Sequence, residues 1–522
     1  MSDTAENQNL YVALRAAFPA DLDAWAVETD QGHVYSWREL EQASARIAQL
    51  LASLQLPAGS RVAVQVEKSV EAMCLYLATL RAGLVFLPLN TAYQSGEISY
   101  FVGNAEPAVV VCSPSNFSWV SKLAFQAGTQ HVFTLGEDGT GTLLDRSAHF
   151  DGVHEPVWCH ADDLAAILYT SGTTGRSKGA MLTHKNLLSN AQVLKSYWGW
   201  QEGDVLIHAL PIFHVHGLFV AIHGALLNGS SMLWLNKFDP QAVIDRLPRA
   251  SVFMGVPTLY TRMLSLPGLT REACQQMRLF ISGSAPLLVQ TFREWQERTG
   301  HTILERYGMS ETIILTSNPY APDARYLDEQ GQPQKLRRGG TVGFPLPGVG
   351  VRVVNDADEA MPLGEIGGIQ VQGTNVFKGY WRMPEKTAEE FTSDAWFKTG
   401  DVGRIDRQGY VTIVGRSKDL IISGGYNVYP AEIESIINEM DGVVESAVIG
   451  VPHPDFGEVG VALVIGKNGA ALNPDEILAR LKATLANFKI PKRCFIVTEF
   501  PRNTMGKVQK NVLREAHKST FS

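Results

Sequence analysis

Short, predominantly apolar runs separated by helix-period segments constrain this 522-residue chain more than any other feature. RVAVQV (61–66), PAVVVC (107–112), LAAILY (164–169), SMLWL (231–235), ASVFM (250–254) and RLFIS (278–282) are too short for helices and lack the alternation of a strand with one wet face. Such runs suit strands buried on both faces of a largely parallel sheet, and segments such as WRELEQASARIAQLLASL (37–54) suit the helices that cover them. The expected fold class is therefore α/β, with a large, layered N-terminal domain.

The texture changes near Gly343. VGVRVVN (349–355), GGIQVQG (367–373) and GYVTIVGR (409–416) alternate over short lengths between Gly and Asp turns, which predicts an antiparallel, barrel-like subdomain. It changes again after GRSKDLIISGGYNVYP (415–430). There AEIESIINEM (431–440) has helix period, and VVESAVIGV (443–451) and VALVIG (461–466) have strand character, which predicts a small α+β C-terminal unit. The expected boundary divides residues 1–417 from 418–522, with Lys418 at the junction. Residues 321–340, APDARYLDEQGQPQKLRRGG, are polar and rich in Gly and Pro and read as a surface loop.

Composition excludes several classes of function. The 45 basic and 53 acidic residues give a net charge of -8 without any run of five or six Lys/Arg, so a nucleic-acid partner is not expected. Five cysteines without CxxC spacing argue against a disulfide framework and a zinc knuckle, and fit a reducing compartment. No apolar stretch reaches the ~18–20 residues of a membrane span, and MSDTAENQNLYVALRAAF lacks the basic-then-apolar pattern of a signal peptide, so a cytoplasmic location is expected.

The densest chemistry lies in YTSGTTGRSK (169–178). Hydroxyls, two glycines that permit close backbone approach and a terminal lysine are the groups that a polyphosphate needs, although the spacing is not that of a Walker A loop. Glu311 is a hard oxygen ligand suited to Mg²⁺. His214 and His216, two apart, would share one face of a strand, but without an HExxH motif or further partners a zinc site is not expected. YGMSET (307–312), taken alone, can be a loop leading into a helix.

TSGTTGRSKG resembles the signature of the adenylate-forming acyl-CoA synthetases, relatives of luciferase and of peptide-synthetase adenylation domains. PIFHVHG (211–217), GSAP (283–286), YGMSET, TGD (399–401), GRSKD (415–419) and NTMGK (503–507) follow in that family's order. ALPIFHVHGLFVA, MGVPTLYTRML, LERYGMSET, VIGVPHPDFGE and PRNTMGKVQKNVLRE sharpen the likeness, over nearly the whole chain, to malonyl-CoA synthetases. The departures are Ser310 where Thr is common, the 321–340 loop, and Ile313-Ile314-Leu315.

The resemblance implies an acid–thiol ligase that couples malonate to CoA through malonyl-AMP, with ATP and CoA as co-substrates and Mg²⁺ as cofactor. It implies ATP contacts from Thr170, Ser171, Gly172, Thr173, Thr174, Gly175, Lys178, Gly283, Ser284, Ala285, Tyr307, Gly308, Ser310, Asp401 and Arg416. Glu311 would hold Mg²⁺, Lys507 would neutralise charge at the α-phosphate, and His214 would sit at the acyl end. Ser423, Gly424, Gly425 and Tyr426 would line the CoA tunnel, and Lys418 would be the hinge of a mobile C-terminal domain. Because malonate carries a second carboxylate, a cation is required in its pocket. Arg262 is the candidate, with Ser282 as a hydrogen-bonding companion. A CoA ligase for methylmalonate or another short-chain carboxylic acid, and an adenylation enzyme loading a carrier protein, stay open, as does the choice between monomer and dimer.

Overall fold

The computed structural model describes residues 6–170, 177–424, 426–467, 470, 472–503 and 506–521. All six apolar runs form interior strands. Arg61–Gln65, Val109–Cys112 and Leu164–Thr170 lie in a six-stranded sheet that is parallel except for its last pair, Leu164–Thr170 with Lys178–Thr183. Val252–Gly255, Ser231–Trp234 and Leu279–Ser282 lie in a nine-stranded sheet, parallel at its centre and antiparallel at both ends. Burial on both faces is what leaves these strands without alternation.

The helix Trp37–Ser53 starts where its sequence provides a capping box. Ser36 Oγ accepts the Glu39 N–H, and Glu39 accepts the Ser36 N–H at 2.7 Å, so two otherwise orphaned donors are satisfied. Its apolar stripe, including Trp37, Leu40, Ile47, Ala48 and Leu51, is buried in the main core. Among the described residues no helix is long and apolar enough to cross a membrane.

The expected barrel-like part is a four-stranded antiparallel sheet of Val349–Val354, Gly367–Gly373, Phe397–Ile405 and Val411–Arg416. The 321–340 segment is more ordered than a loop: Asp323–Leu327 pairs with Pro333–Gln334. Side chains tie it down. Asp323 is buried, accepts the Tyr197 hydroxyl at 3.0 Å and pairs with Arg325, while Arg338 pairs with Asp406. The C-terminal segment builds a separate five-stranded sheet with its own apolar clusters, one around Ile433, Val448 and Leu481 and the other around Ile449, Val461 and Leu513.

Candidate active site

The closing pair of the six-stranded sheet sets Thr170 opposite Lys178. Ser171, Gly172, Thr173, Thr174 and Gly175 lie outside the described residues. Lys178 is held by Glu390 at 2.9 Å, with its ammonium 4.2 Å from the centre of the Tyr380 ring.

YGMSET does not lead into a helix. Leu304–Met309 and Ile313–Ser317 form an antiparallel hairpin, with Ser310 and Glu311 in its turn. Glu311 is buried and makes no ion pair among the described residues; Tyr380 donates its hydroxyl to Glu311 Oε1 at 3.1 Å, and burial raises the carboxyl pKa. No cluster of three potential metal ligands occurs among the described residues. A single buried carboxylate fits Mg²⁺, which commonly takes one or two carboxylates and completes its shell with phosphate and water.

Register brings Asp401 and Arg416 together as directly opposed residues, and Arg416 Nε lies 2.8 Å from Asp401 Oδ1. Tyr307 donates its hydroxyl to Asp401 Oδ2, and burial holds that phenol protonated. Gly283, Ser284 and Ala285 leave the strand Leu279–Ser282, with Ser284 in the left-handed region at φ 70°. The Leu287 N–H just beyond donates 2.9 Å to Glu305 Oε1.

Beside Gly283 lies a group not singled out in the sequence. Arg306 is buried, and its Nε and Nη2 have no hydrogen-bond partner among the described residues. A Cβ on Gly283 would fall 2.4 Å from the guanidinium carbon, so the absent side chain is what lets the guanidinium lie against that backbone. Burial pushes the guanidinium down to about 9, which leaves it charged at neutral pH. The fully buried Ser282 Oγ and the His216 Nε2 are also without partners. Burial and the Arg306 charge lower His214 to about 4, so its ring is neutral, and they lower His216 as well.

The two histidines are not on a strand: His216 opens a π-helical turn, His216–Ile222, and His214 precedes it. The pair meets through a local bond instead of strand alternation: the His216 N–H donates to His214 Nδ1 at 3.4 Å. Arg262 is exposed on the helix Pro257–Leu264. The signal for Arg306 was visible as a charged residue in LERYGM, beside apolar strand positions.

Lys507 crosses from the C-terminal unit to this site. Gly506, at φ 75°, packs so tightly on Thr258 that a Cβ would meet its Oγ1 at 2.9 Å. The Lys507 N–H donates to Asn503 Oδ1. The Lys507 side chain is exposed along its length, but desolvation of its ammonium end, with the nearby Arg416, depresses its pKa, with Asp401 and Asp419 opposing. Lys418 occupies the 3₁₀ turn Ser417–Asp419 directly after Arg416. Ser423 pairs with Tyr426 across a hairpin, where Gly424 packs on Phe456 and Tyr426 stacks on Phe488 at 4.8 Å; Gly425 lies outside the described residues. These contacts of the hairpin lie within the C-terminal unit.

Comparison with known proteins gives two family matches: AMP-binding enzyme over residues 14–381, and AMP-binding enzyme C-terminal domain over residues 432–507. A malonate–CoA ligase of Arabidopsis thaliana is 31% identical, over 98% of this chain and 90% of that protein. A feruloyl-CoA synthase of an Amycolatopsis species is 34% identical, over 92% and 94%. Among solved structures, ATP-bound MatB from Rhodopseudomonas palustris is 53% identical over 99% of this chain and 100% of its own, with a TM-score of 0.94; the apo form of MatB scores 0.83 over the same coverage.

Proposed function

The chain belongs to the AMP-binding enzymes, and from that premise we propose that it is a malonyl-CoA synthetase. One observation carries the choice of acid: Arg306 is a buried, charged guanidinium with unpaired N–H groups, and two neutral histidines feel its charge. An uncompensated buried charge costs several kcal/mol, roughly 3–5 when a partner is missing, so this pocket is built for an anion. The distal carboxylate of malonate supplies one, and the Arabidopsis relative named as a malonate–CoA ligase supports the same acid.

In the first step a malonate carboxylate oxygen attacks the α-phosphorus of ATP and pyrophosphate leaves, giving malonyl-AMP. Asp401 and Arg416 orient the ribose, Gly283–Ala285 and Tyr307 flank the base, and Ser310 donates to the α-phosphate. Lys507 neutralises charge that develops between the carboxylate and the phosphate, a task for which an ammonium in a crowded, partly desolvated position is well suited. Mg²⁺ on Glu311 would offset the charge of the polyphosphate. The closer match to ATP-bound than to apo MatB supports reading this arrangement as the adenylating one.

In the second step the CoA sulfur, losing its proton, attacks the acyl carbonyl and AMP leaves. A rotation about Lys418 would bring the Ser423–Tyr426 hairpin to the site. Beside that hairpin, the Tyr426–Phe488 stack and Lys492 over Phe456 give the C-terminal unit an aromatic, cationic face that suits the nucleotide of CoA.

The test is a panel of acids with Arg306→Leu, in a CoA-dependent AMP-release assay. Malonate kcat/KM is expected to fall at least about 30-fold, the lower end for breaking a buried charge pair, while propionate loses far less. Equal losses for both acids would remove Arg306 as the selector. A selective loss in Arg262→Leu but not in Arg306→Leu would return the role to Arg262.

A further inference from the structure

The ion pair of Lys178 is built by a segment remote in sequence. Residues 378–381 return along the strand Lys178–Thr183: the Trp381 N–H donates to the Gly179 carbonyl at 2.8 Å, the Met181 N–H to Gly379 at 3.0 Å and the Lys378 N–H to Met181 at 2.9 Å. The helix Pro384–Glu390 follows, fixed to this segment by Thr387, whose Oγ1 accepts the Tyr380 N–H at 2.9 Å. Tyr380 therefore lies under the Lys178 ammonium, and Glu390 reaches it from the last position of the helix.

That position disfavours an acid. Free carbonyls give a helix C-terminus partial negative charge, where cations stabilise and carboxylates do not. Glu390 has Lys178 as its compensating cation, in a pair whose side chains keep 19% and 29% of their exposure. Any anion that draws Lys178 away leaves the carboxylate alone at the negative end of the helix. The Tyr380 hydroxyl is meanwhile fixed on Glu311, so the ring on which Lys178 rests is anchored independently of the lysine.

We propose that Glu390 is a resident competitor of the ATP polyphosphate for Lys178. It holds the ammonium before nucleotide arrives, releases it to the phosphates, and reclaims it as pyrophosphate departs. This rests on the reading of Lys178 as a phosphate contact. Glu390 thereby weakens nucleotide binding and favours loss of pyrophosphate, and Tyr380 is the surface along which the ammonium passes from one anion to the other.

The experiment is calorimetric binding of MgATP without acid or CoA. Glu390→Gln, which keeps shape and removes charge, is expected to tighten binding about two- to five-fold, the range for a partly exposed ion pair. Lys178→Met is expected to weaken binding, and the Glu390→Gln gain should vanish in that background. If Lys178→Met binds MgATP as the wild type does, the phosphate reading of Lys178 fails. If Lys178→Met weakens binding but Glu390→Gln leaves it unchanged or weaker, the competitor role is overturned. A gain of equal size in the Lys178→Met background also overturns it, because Glu390 would then act through general charge.

Discussion

Glu305 and Arg306 are consecutive on one strand, so their side chains leave by opposite faces. Arg306 turns to Gly283 and the two histidines; Glu305 turns to the segment that follows Gly283–Ala285 and accepts the Leu287 N–H there. Burial raises the Glu305 carboxyl to about 8, so it is protonated at neutral pH. An unfolded glutamate releases its proton near its ordinary value of about 4.5, whereas the folded one keeps it to about 8. Between those limits the folded state binds more protons, and stability falls as pH rises, by at most ~1.4 kcal/mol per unit from this group. Glu305→Gln should therefore gain on the wild type progressively from pH 5 to 8 and hold that gain above 8, read as denaturation midpoints across pH. A constant difference would show that Glu305 does not titrate in this way. The charges in LERYGM are legible in the sequence; which are buried, and which lack a partner, depends on the residues packed across from them.

At the scale of elements, the Leu304–Met309/Ile313–Ser317 hairpin aims both Glu311 and Tyr307, and its turn is under strain. Ile313 is β-branched and buried, yet adopts φ 58°, a conformation that such residues rarely take. Gly308 makes this possible: a Cβ there would lie 1.8 Å from the Ile313 carbonyl oxygen. Gly308→Ala must push the strands apart and move Glu311. Malonate-dependent ATP–pyrophosphate exchange is expected to fall by about 100-fold, the cost of a misplacement near 1 Å, with a smaller loss in thermal midpoint. Near-normal exchange would mean the turn tolerates the shift. The same reasoning applies at Gly217, where a Cβ would lie 2.1 Å from the Pro211 carbonyl oxygen, so that the turn bearing His214 can close against the π-helical residues. Strand or helix type was readable from periodicity; a positive φ at an isoleucine and a π-helical turn were not, because both are imposed by packing.

Across the whole molecule, the C-terminal unit packs Gly506 against Thr258 and so sets Lys507 within electrostatic reach of Asp401 and Arg416. Lys418 lies in a turn whose hydrogen bond runs from the Leu420 N–H to the Ser417 carbonyl, so a proline at 418 removes no bond of that turn. Lys507→Ala should abolish malonate-dependent pyrophosphate exchange. Lys418→Pro should retain exchange within several-fold while losing most thioester formation, because φ at the junction is locked. If both variants lose the same half-reaction, the hinge reading of Lys418 is wrong. The sequence alone determined the α/β class, through apolar runs that only doubly covered strands explain, and the order of the nucleotide motifs, because backbone approach to phosphate demands those small residues. Only the tertiary structure decided that Arg306 is buried with unpaired N–H groups while Arg262 is exposed, and which acid holds Lys178. Partnership and burial arise between segments far apart in the chain, where periodicity and local spacing carry no information.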